Sequence, residues 1–525
     1  MNAPAAAPSE RHELDLSPLG LDWRGLLPFA LAVAVFSALA GRYWYVVMDD
    51  PYITFRYARN VLAGDGWAFN PGQPLEGYSN FLWLVLSMVP IAMGIEPLGA
   101  MRVAGIGFAV GLLAWLCFAP RGWGRYRLAA PLLASCYPFA VWAIGGLETP
   151  MYALLAFAAV VFTNRTVHGP GRGSTAALAA SLLAVALSRP EGAMVLALPL
   201  VALVCARGGA RRHLLAAIAV FAAGFAVYTL WRLATFGTMI PNTVSAKVGG
   251  SPVRSAVAGI KYTAAYFLAP PLVLLGLAVW GAWKDRSHRP LFLIGGTWVG
   301  LQILFTILVG GDWMPGMRFL VPMLPVLCVL AAIGLYRLPR WAWVAVPAVL
   351  ILAAPIHARF EAIQGWRPLE WARRNAWDPD VPGRRALIIE QPLRMGRDIA
   401  AIVPTGETIA LTEAGAVPWV ADRPVIDMLG LVDAEIAQVG GALHEAFDAQ
   451  SVLRREPDWI LLGVVEPEPG TMTGVWPPDQ QILLAPGFQS AYAEARRWPR
   501  GFPLGLNQQP GAMVLFERTK ETTTR

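Results

Sequence analysis

Residues 48–80 read MDDPYITFRYARNVLAGDGWAFNPGQPLEGYSN. The stretch opens on a tandem acidic pair, Asp49-Asp50, where the first long apolar run ends. It continues through an aromatic and Arg-rich turn, a Gly-rich loop and the tail Glu76-Gly77-Tyr78-Ser79-Asn80. Adjacent carboxylates at a bilayer surface cost free energy unless they have a partner or a task. A solvated helix cap is the plainest use for such a pair. The rest of the chain decides between that use and chemistry.

The chain has 525 residues, is 56% hydrophobic and only 15% charged. A soluble protein of this length would carry about a quarter charged residues. Repeated apolar runs of membrane-spanning length predict a polytopic α-helical membrane protein. The net charge of +7 is mostly Arg and sits in short loops between apolar runs, a topology signal and not a nucleic-acid patch. The four cysteines, Cys117, Cys136, Cys205 and Cys328, fall within or at the ends of apolar runs, so neither a disulfide framework nor a Cys metal site is indicated. His213, His288 and His357 are too widely spaced to suggest a metal cluster.

Apolar segments lie at 26–47, 80–95, 101–119, 128–144, 150–163, 175–188, 192–206, 213–235, 262–282, 290–309, 319–336 and 341–356. Residues 1–25 read as a cytoplasmic lead without a signal-peptide pattern, and 26–47 as a retained first span. If 80–95 lies on or in the outer surface, the connections 120–127, 164–174, 207–212, 283–289 and 337–340 all face inward. Every one of them is basic, with Asp285 the sole acid. That is the positive-inside pattern, with about eleven crossings. The polar loops then gather outside: 48–100, 145–149, 188–192, 236–243 and 310–318. So do all the acids from Asp49 to Asp312 except Asp285. Charges, glycines and prolines meeting at one face predict a site at the membrane–water boundary.

Beyond a transmembrane part at 26–356, residues 357–518 read as an extracytoplasmic α/β domain, with 519–525 a disordered tail. The last 169 residues hold 22 of the 35 acids. Short apolar runs at 386–389, 408–411, 459–462 and 512–516 alternate there with helix-compatible stretches. No Walker motif or Gly-rich nucleotide fingerprint occurs, so no bound nucleotide is expected.

Several residue groups can carry chemistry. One member of the Asp49-Asp50 pair can take a proton from a hydroxyl, its pKa lifted by partial burial. Asp49 is the first choice of base, with Asp50 supporting. A second carboxylate can orient the first or bind Mg, Mn or Ca, so Asp50 and Asp312 are metal candidates. Arg56 and Arg59, one helical turn apart, can hold a phosphate or pair with the carboxylates. Arg189 and Glu191, and Asp312 and Trp313, sit between apolar hairpin arms, where an ordinary turn with a satisfied ion pair is the alternative. Asn242 and Lys247 can meet a sugar or phosphate, and Arg318 opens a helix from the outer side as a phosphate candidate. For Trp67, Trp313 and Trp419 interface packing is the first reading and stacking on a sugar ring the second.

These pieces resemble a known architecture. An acidic pair at the outer end of the first helix, about eleven helices and an extracytoplasmic C-terminal domain look like the GT-C superfamily of integral-membrane glycosyltransferases. The runs from Asp49 to Asn60, FNPG at 69–72 and EGYSNFLW at 76–83 resemble the mycobacterial terminal β-(1→2)-arabinofuranosyltransferase family more closely. So do GGLET at 145–149, RPEG at 189–192, FGTMIPNTVSAK at 236–247, GGDWMPGMRF at 310–319 and VIDMLGLVD at 425–433. The resemblance implies a polyprenyl-phosphate donor, decaprenyl-phosphoryl arabinofuranose in the mycobacterial members. It also implies transfer to a cell-envelope glycan outside the bacterial inner membrane, with or without a metal, and a catalytic carboxylate in Asp49-Asp50. Tyr78, Asn80, Glu148, Arg189, Glu191, Asp312 and Arg318 would line the site, with Glu413 and Asp427 of the C-terminal domain facing it. A GT-C enzyme for another acceptor (lipid A, O-antigen, pilin or protein) is one rival. A lipid-linked sugar transporter is another, which predicts midplane charges and internal repeats that the sequence lacks.

Overall fold

The computed structural model describes residues 23–118, 123–244, 251–268, 271–360, 386–439, 447–468, 470–500 and 511–519. Lys247, the lead before residue 23 and the tail beyond 519 lie outside the described residues. Six helices are long and apolar enough to cross a membrane: Gly25–Arg42, Pro97–Phe118, Thr149–His168, Gly209–Phe236, Arg286–Leu308 and Arg318–Leu335. A bent pair, Pro252–Phe267 with Leu272–Lys284, makes a seventh if counted as one span. Arg318–Leu335 is 94% buried and forms the centre of the bundle, whereas Gly209–Phe236 is 17% buried and runs along its outside.

Proline explains where the expected spans divide. The run at 128–144 is a 3₁₀ turn Trp123–Leu128 and two short helices, Ala129–Ala134 and Tyr137–Ala143, with Cys136 extended just before Tyr137-Pro138. Pro138 falls in the first turn of the second helix, where its missing N–H costs nothing, so a helix can start there but not run through it. The run at 262–282 begins earlier than expected, at Pro252, and the sequence carries Pro270-Pro271 at its break. Phe81–Ala92 has 12 residues. At 1.5 Å per residue it reaches only about 18 Å, well short of a ~30 Å hydrocarbon core.

The stretch 48–80 forms a helix and a following loop, with residues 51–60 almost all buried and 62–66 and 71–74 exposed. Helix Asp50–Ala63 starts with Pro51 in its first turn, where a missing N–H costs nothing. It stops at Gly64, whose φ of +88° closes a Schellman-type end: Asp65 N–H donates to Asn60 O and Gly64 N–H to Val61 O. The helix lies between the bundle end and the C-terminal domain, burying Tyr52, Ile53, Phe55, Tyr57 and Ala58.

The C-terminal domain is a six-stranded mixed sheet. Its strands are β1 Ile409–Leu411, β2 Val425–Asp427, β3 Trp459–Val465, β4 Thr473–Gly474, β5 Tyr492–Arg500 and β6 Gly511–Arg518. The order is β2-β1-β3-β6-β5, parallel across β2-β1-β3 and antiparallel across β3-β6-β5, with β4 on β3. The expected strand at 386–389 is instead a turn leading into helix Glu390–Ile402. Alternation along the strands gives the sheet two apolar faces. Ile409, Leu411, Leu461, Met513 and Leu515 share one core with Ile53, Tyr57, Phe69, Tyr78 and Leu84 of the segment 48–100. Ala410, Ile460, Leu462, Val514 and Phe516 pack on Val452, Ile482 and Phe488 at the other. Sheet and segment 48–100 therefore build one hydrophobic unit.

Candidate active site

Asp49 sits at the N-cap of helix Asp50–Ala63 yet makes no cap bond to that helix. Its carboxylate accepts instead from Gly415 N–H at 2.7 Å and Ala416 N–H at 2.5 Å, where helix Ala416–Ala421 begins. A side chain on Gly415 would overlap that carboxylate. Asp50, one residue on, lines a small cleft of about 50 Å³ at the end of the bundle that faces the sheet domain. Ile53, Thr54, Gly77, Tyr78, Ser79, Asn80, Leu147, Glu148, Arg189, Thr243, Arg318 and Leu431 complete its walls.

A hydrogen-bonded chain runs through those walls. Thr54 Oγ1 donates to Asn80 Oδ1 at 3.1 Å, and Asn80 Nδ2 donates to Glu148 Oε2 at 3.0 Å. Arg189 Nη1 donates to Glu148 and Arg189 Nε to Glu191. Burial alone would raise the Glu148 carboxyl, but Arg189, Arg318 and Asn80 outweigh it and hold it below the usual carboxylate range. Burial also works against the Arg189 charge, and Glu191 and Glu148 outweigh it in turn. Both groups are therefore ionised.

Arg318 arrives on a strained loop. Gly310, Gly311, Gly316 and the non-glycine Met317 all have positive φ, Met317 at 52°. Such a conformation costs a bulky residue about 1–3 kcal/mol and persists where the surroundings enforce it. Here Trp142 Nε1 donates to Gly316 O at 2.9 Å and fixes the turn. Arg318 Nε lies 2.7 Å from Asp312 Oδ2, but neither atom gains a well-aligned hydrogen bond. Among the described residues, nothing accepts from Arg189 Nη2 or from the terminal amines of Arg318. Two cleft hydroxyls, Tyr78 Oη and Thr243 Oγ1, are buried without a hydrogen-bond partner among those residues. A buried polar group without a partner calls for an explanation, and a ligand is one.

Other expected site residues hold the C-terminal domain. Arg56 donates to Phe69 O, Pro418 O and Arg423 O at 2.8–3.0 Å, and burial pulls its pKa down to about 10. Arg59 pairs with Asp422, donates to Trp419 O and lies over the Trp419 ring. Apart from Arg56 Nε on Phe69 O, their bonded N–H groups end on the domain, because the domain's carbonyls face this helix. Asn242 Nδ2 donates to Gly430 O and Leu431 O. Asp427 is wholly buried and braces its own loop through Leu429 N–H and Val432 N–H, which sets Leu431 at the cleft. Glu413 lies two residues before the Asp49 contact, and Trp313 packs half-buried on the bundle core. Trp67 stacks on Phe81, with Trp231 edge-on, inside an aromatic cluster.

The metal expectation can be tested on the donor set. Asp312 is engaged by Arg318, and no group of three His, Cys, Asp or Glu side chains gathers among the described residues. Asp50 and Asp312 therefore lack a third protein ligand among the described residues. Sequence reasoning missed Thr54 and Thr243. Thr54 stands four residues after Asp50 on the same helix face, a spacing that could have found it.

Residues 385–515 match a family model described as a domain of unknown function (DUF8728). The chain is 28% identical over 360 residues to the terminal β-(1→2)-arabinofuranosyltransferase of Mycobacterium tuberculosis, covering 58% of this chain and 55% of that protein. It is 26% identical over 385 residues to the enzyme of the same name from Corynebacterium glutamicum, covering 64% and 55%. The chain spans about half the length of these curated relatives. Among solved structures, ArnT from Cupriavidus metallidurans bound to undecaprenyl phosphate aligns with TM-score 0.57 at 14% identity, covering 93% of this chain and 97% of ArnT. The archaeal oligosaccharyltransferase AglB from Archaeoglobus fulgidus, in complex with an inhibitory peptide and a dolichol-phosphate, gives 0.51 at 11% identity, covering 84% and 69%. The chain thus has the fold of these GT-C glycosyltransferases, and the family resemblance read from its motifs recurs in the alignments.

Proposed function

We propose that this chain is a membrane glycosyltransferase that moves a sugar, arabinofuranose first among candidates, from a polyprenyl-phosphate donor to a cell-envelope glycan. The observation that carries this reading is the cleft itself: two buried arginines with spare N–H groups, a carboxylate at Asp50 and two partnerless hydroxyls. The donor phosphate would sit on Arg189 and Arg318, whose planar forks suit phosphate. Glu148, Glu191 and Asp312 would fix those forks. Tyr78 and Thr243 would bond sugar or acceptor hydroxyls. Asp50 is the proposed base: both oxygens of Asp49 accept main-chain N–H groups, whereas Asp50 lines the cleft. The acceptor oxygen would bond to the sugar's anomeric carbon as the carbon–phosphate oxygen bond breaks. Polyprenyl phosphate then leaves and the acceptor proton passes to Asp50. ArnT, solved with undecaprenyl phosphate bound, supports the donor class.

The topology belongs to the same proposal. Besides the six long helices and the bent pair, Arg172–Ser188, Pro190–Cys205, Ala342–Leu352 and the broken run at 129–143 would cross as short or tilted segments. That makes about eleven crossings, with every basic connection inside and the cleft and sheet domain outside the inner membrane. The test compares purified wild type with Asp50→Asn and Asp49→Asn, given synthetic polyprenyl-phosphoryl arabinofuranose and an oligosaccharide acceptor, with and without chelator. Asp50→Asn is expected to lose turnover by about 10²–10⁴-fold, the range for a general base. Asp49→Asn should lose less and recover in part at lower temperature. Consumption of a different lipid-linked sugar would reject arabinose, and no consumption of any would sink the enzyme reading.

A further inference from the structure

At the end of the bundle away from the cleft, helices Leu272–Lys284 and Leu324–Leu335 cross almost backbone to backbone. A Cβ on Gly281 would lie 2.9 Å from Gly334 N, and one on Gly334 would overlap the Leu277 carbonyl. Just past this crossing the residues become bulky and the helix ends part. Trp280, Lys284, Asp285, Ile333, Tyr336 and Arg337 enclose a pocket of about 420 Å³ there. Helix Arg289–Leu308, 20 residues and about 30 Å long, separates this end from Asp312 and the cleft.

Charge in the pocket is one-sided. Asp285 is 3% exposed and already engaged by Arg337 Nη2 at 2.9 Å, Ser287 N–H at 3.2 Å and His288 Nδ1 at 3.0 Å. Arg337 remains 43% exposed beyond that bond. Lys284 has no carboxylate partner among the described residues, and its Nζ stands 3.9 Å from the Trp283 ring centroid and 4.9 Å from that of Trp280. The two connections, 283–289 and 337–340, hold five cations against Asp285 alone. Around the mouth, Trp283, Tyr336 and Trp341 are exposed, as aromatics are where bilayer meets water. Leu272 and Val279 continue as an exposed apolar face along the same helix.

We infer that this pocket binds the phosphate headgroup of an anionic glycerophospholipid in the leaflet at that end of the bundle. Lys284 and the open side of Arg337 would hold the phosphate, Trp280 and Tyr336 would flank the glycerol, and an acyl chain would lie along Val279 and Leu272. The apolar continuation favours a lipid over a free ion, because a soluble anion gains nothing from it. The inference is independent of the transferase reading.

The test is native mass spectrometry of the full chain in nonionic detergent, with phosphatidylglycerol or phosphatidylcholine of matched acyl chains. Wild type should retain phosphatidylglycerol about fivefold better, the worth of one interfacial cation. Lys284→Gln and Trp280→Ala should each bring the two lipids toward parity, and neither change removes a partner of Asp285. Equal retention by wild type, or no change in Lys284→Gln, overturns the site. Displacement of the lipid by millimolar inorganic phosphate would assign the pocket to a soluble anion and overturn it as well.

Discussion

Asp49 and Asp50 are neighbours, and one step along a helix turns a side chain by about 100°. Asp49 already has helical dihedrals, φ −75° and ψ −34°, so that turn sends one carboxylate to the sheet domain and leaves its neighbour on the cleft wall. Two further carboxyls, Asp427 and Asp479, are wholly buried, and burial lifts them to about 6 and about 8. A raised folded-state pKa means that the neutral form suits the fold. Their contribution to stability is present below the ordinary carboxylate pKa and is lost as pH climbs through 6 and then 8. Each pKa unit is worth about 1.4 kcal/mol, so the rises from 3.8 correspond to roughly 3 kcal/mol for Asp427 and roughly 6 kcal/mol for Asp479. Thermal unfolding of the sheet domain should fall between about pH 4 and pH 8, and Asp479→Asn should flatten the upper half of that fall. A profile unchanged by Asp479→Asn would refute this account. At this scale the sequence announces chemistry but not company. That Tyr78, Asn80, Glu148, Arg189 and Arg318 would meet at one cleft was legible because they are the polar and charged residues of loops at one end of the bundle. Arg56 carried the same signal, yet its carbonyl partner at Pro418 lies 362 positions away, beyond any local pattern.

Residues 50–63, read from the sequence as an aromatic and Arg-rich turn, form a helix, and its ends at Pro51 and Gly64 were the signal that could have shown it. What escaped was that its polar face is buried too, because the covering surface belongs to another part of the chain. The divided spans escaped for a related reason: hydropathy averages over a proline that interrupts the hydrogen-bond ladder. Strand β5 escaped because Ala-Glu-Ala-Arg-Arg-Trp-Pro-Arg alternates weakly, as an exposed edge strand can. The contact between helix Asp50–Ala63 and helix Ala416–Ala421 makes its own prediction. Gly415→Ala places a methyl group into the Asp49 carboxylate. It should cost about 1–3 kcal/mol, the range for overpacking. Limited proteolysis should then release a C-terminal fragment faster than from wild type, while the bundle stays intact. Unchanged protease resistance would mean that the two helices are not coupled in this way.

Across the whole molecule, basic connections lie at one end of the bundle and the cleft and sheet at the other. Cysteine labelling tests which end is outside. Of the four native cysteines, Cys117, Cys136 and Cys328 are buried and Cys205 is half-buried, so replacing Cys205 with Ser gives a quiet background. In intact spheroplasts, Ala493→Cys on strand β5 should react with a membrane-impermeant maleimide. Arg211→Cys should react only after permeabilisation, and the reverse pattern would invert the topology. Beside the shared apolar core, the hydrogen bonds between the sheet domain and the rest of the chain use mostly the domain's main-chain atoms: the N–H groups of Gly415 and Ala416, the carbonyls of Pro418, Arg423, Gly430 and Leu431, and both backbone groups of Val425, which Asn70 clasps. Main-chain atoms survive substitution. Outside the shared apolar core, the domain can therefore drift in sequence while its polar seat stays constant, an exchangeable cover above a fixed cleft.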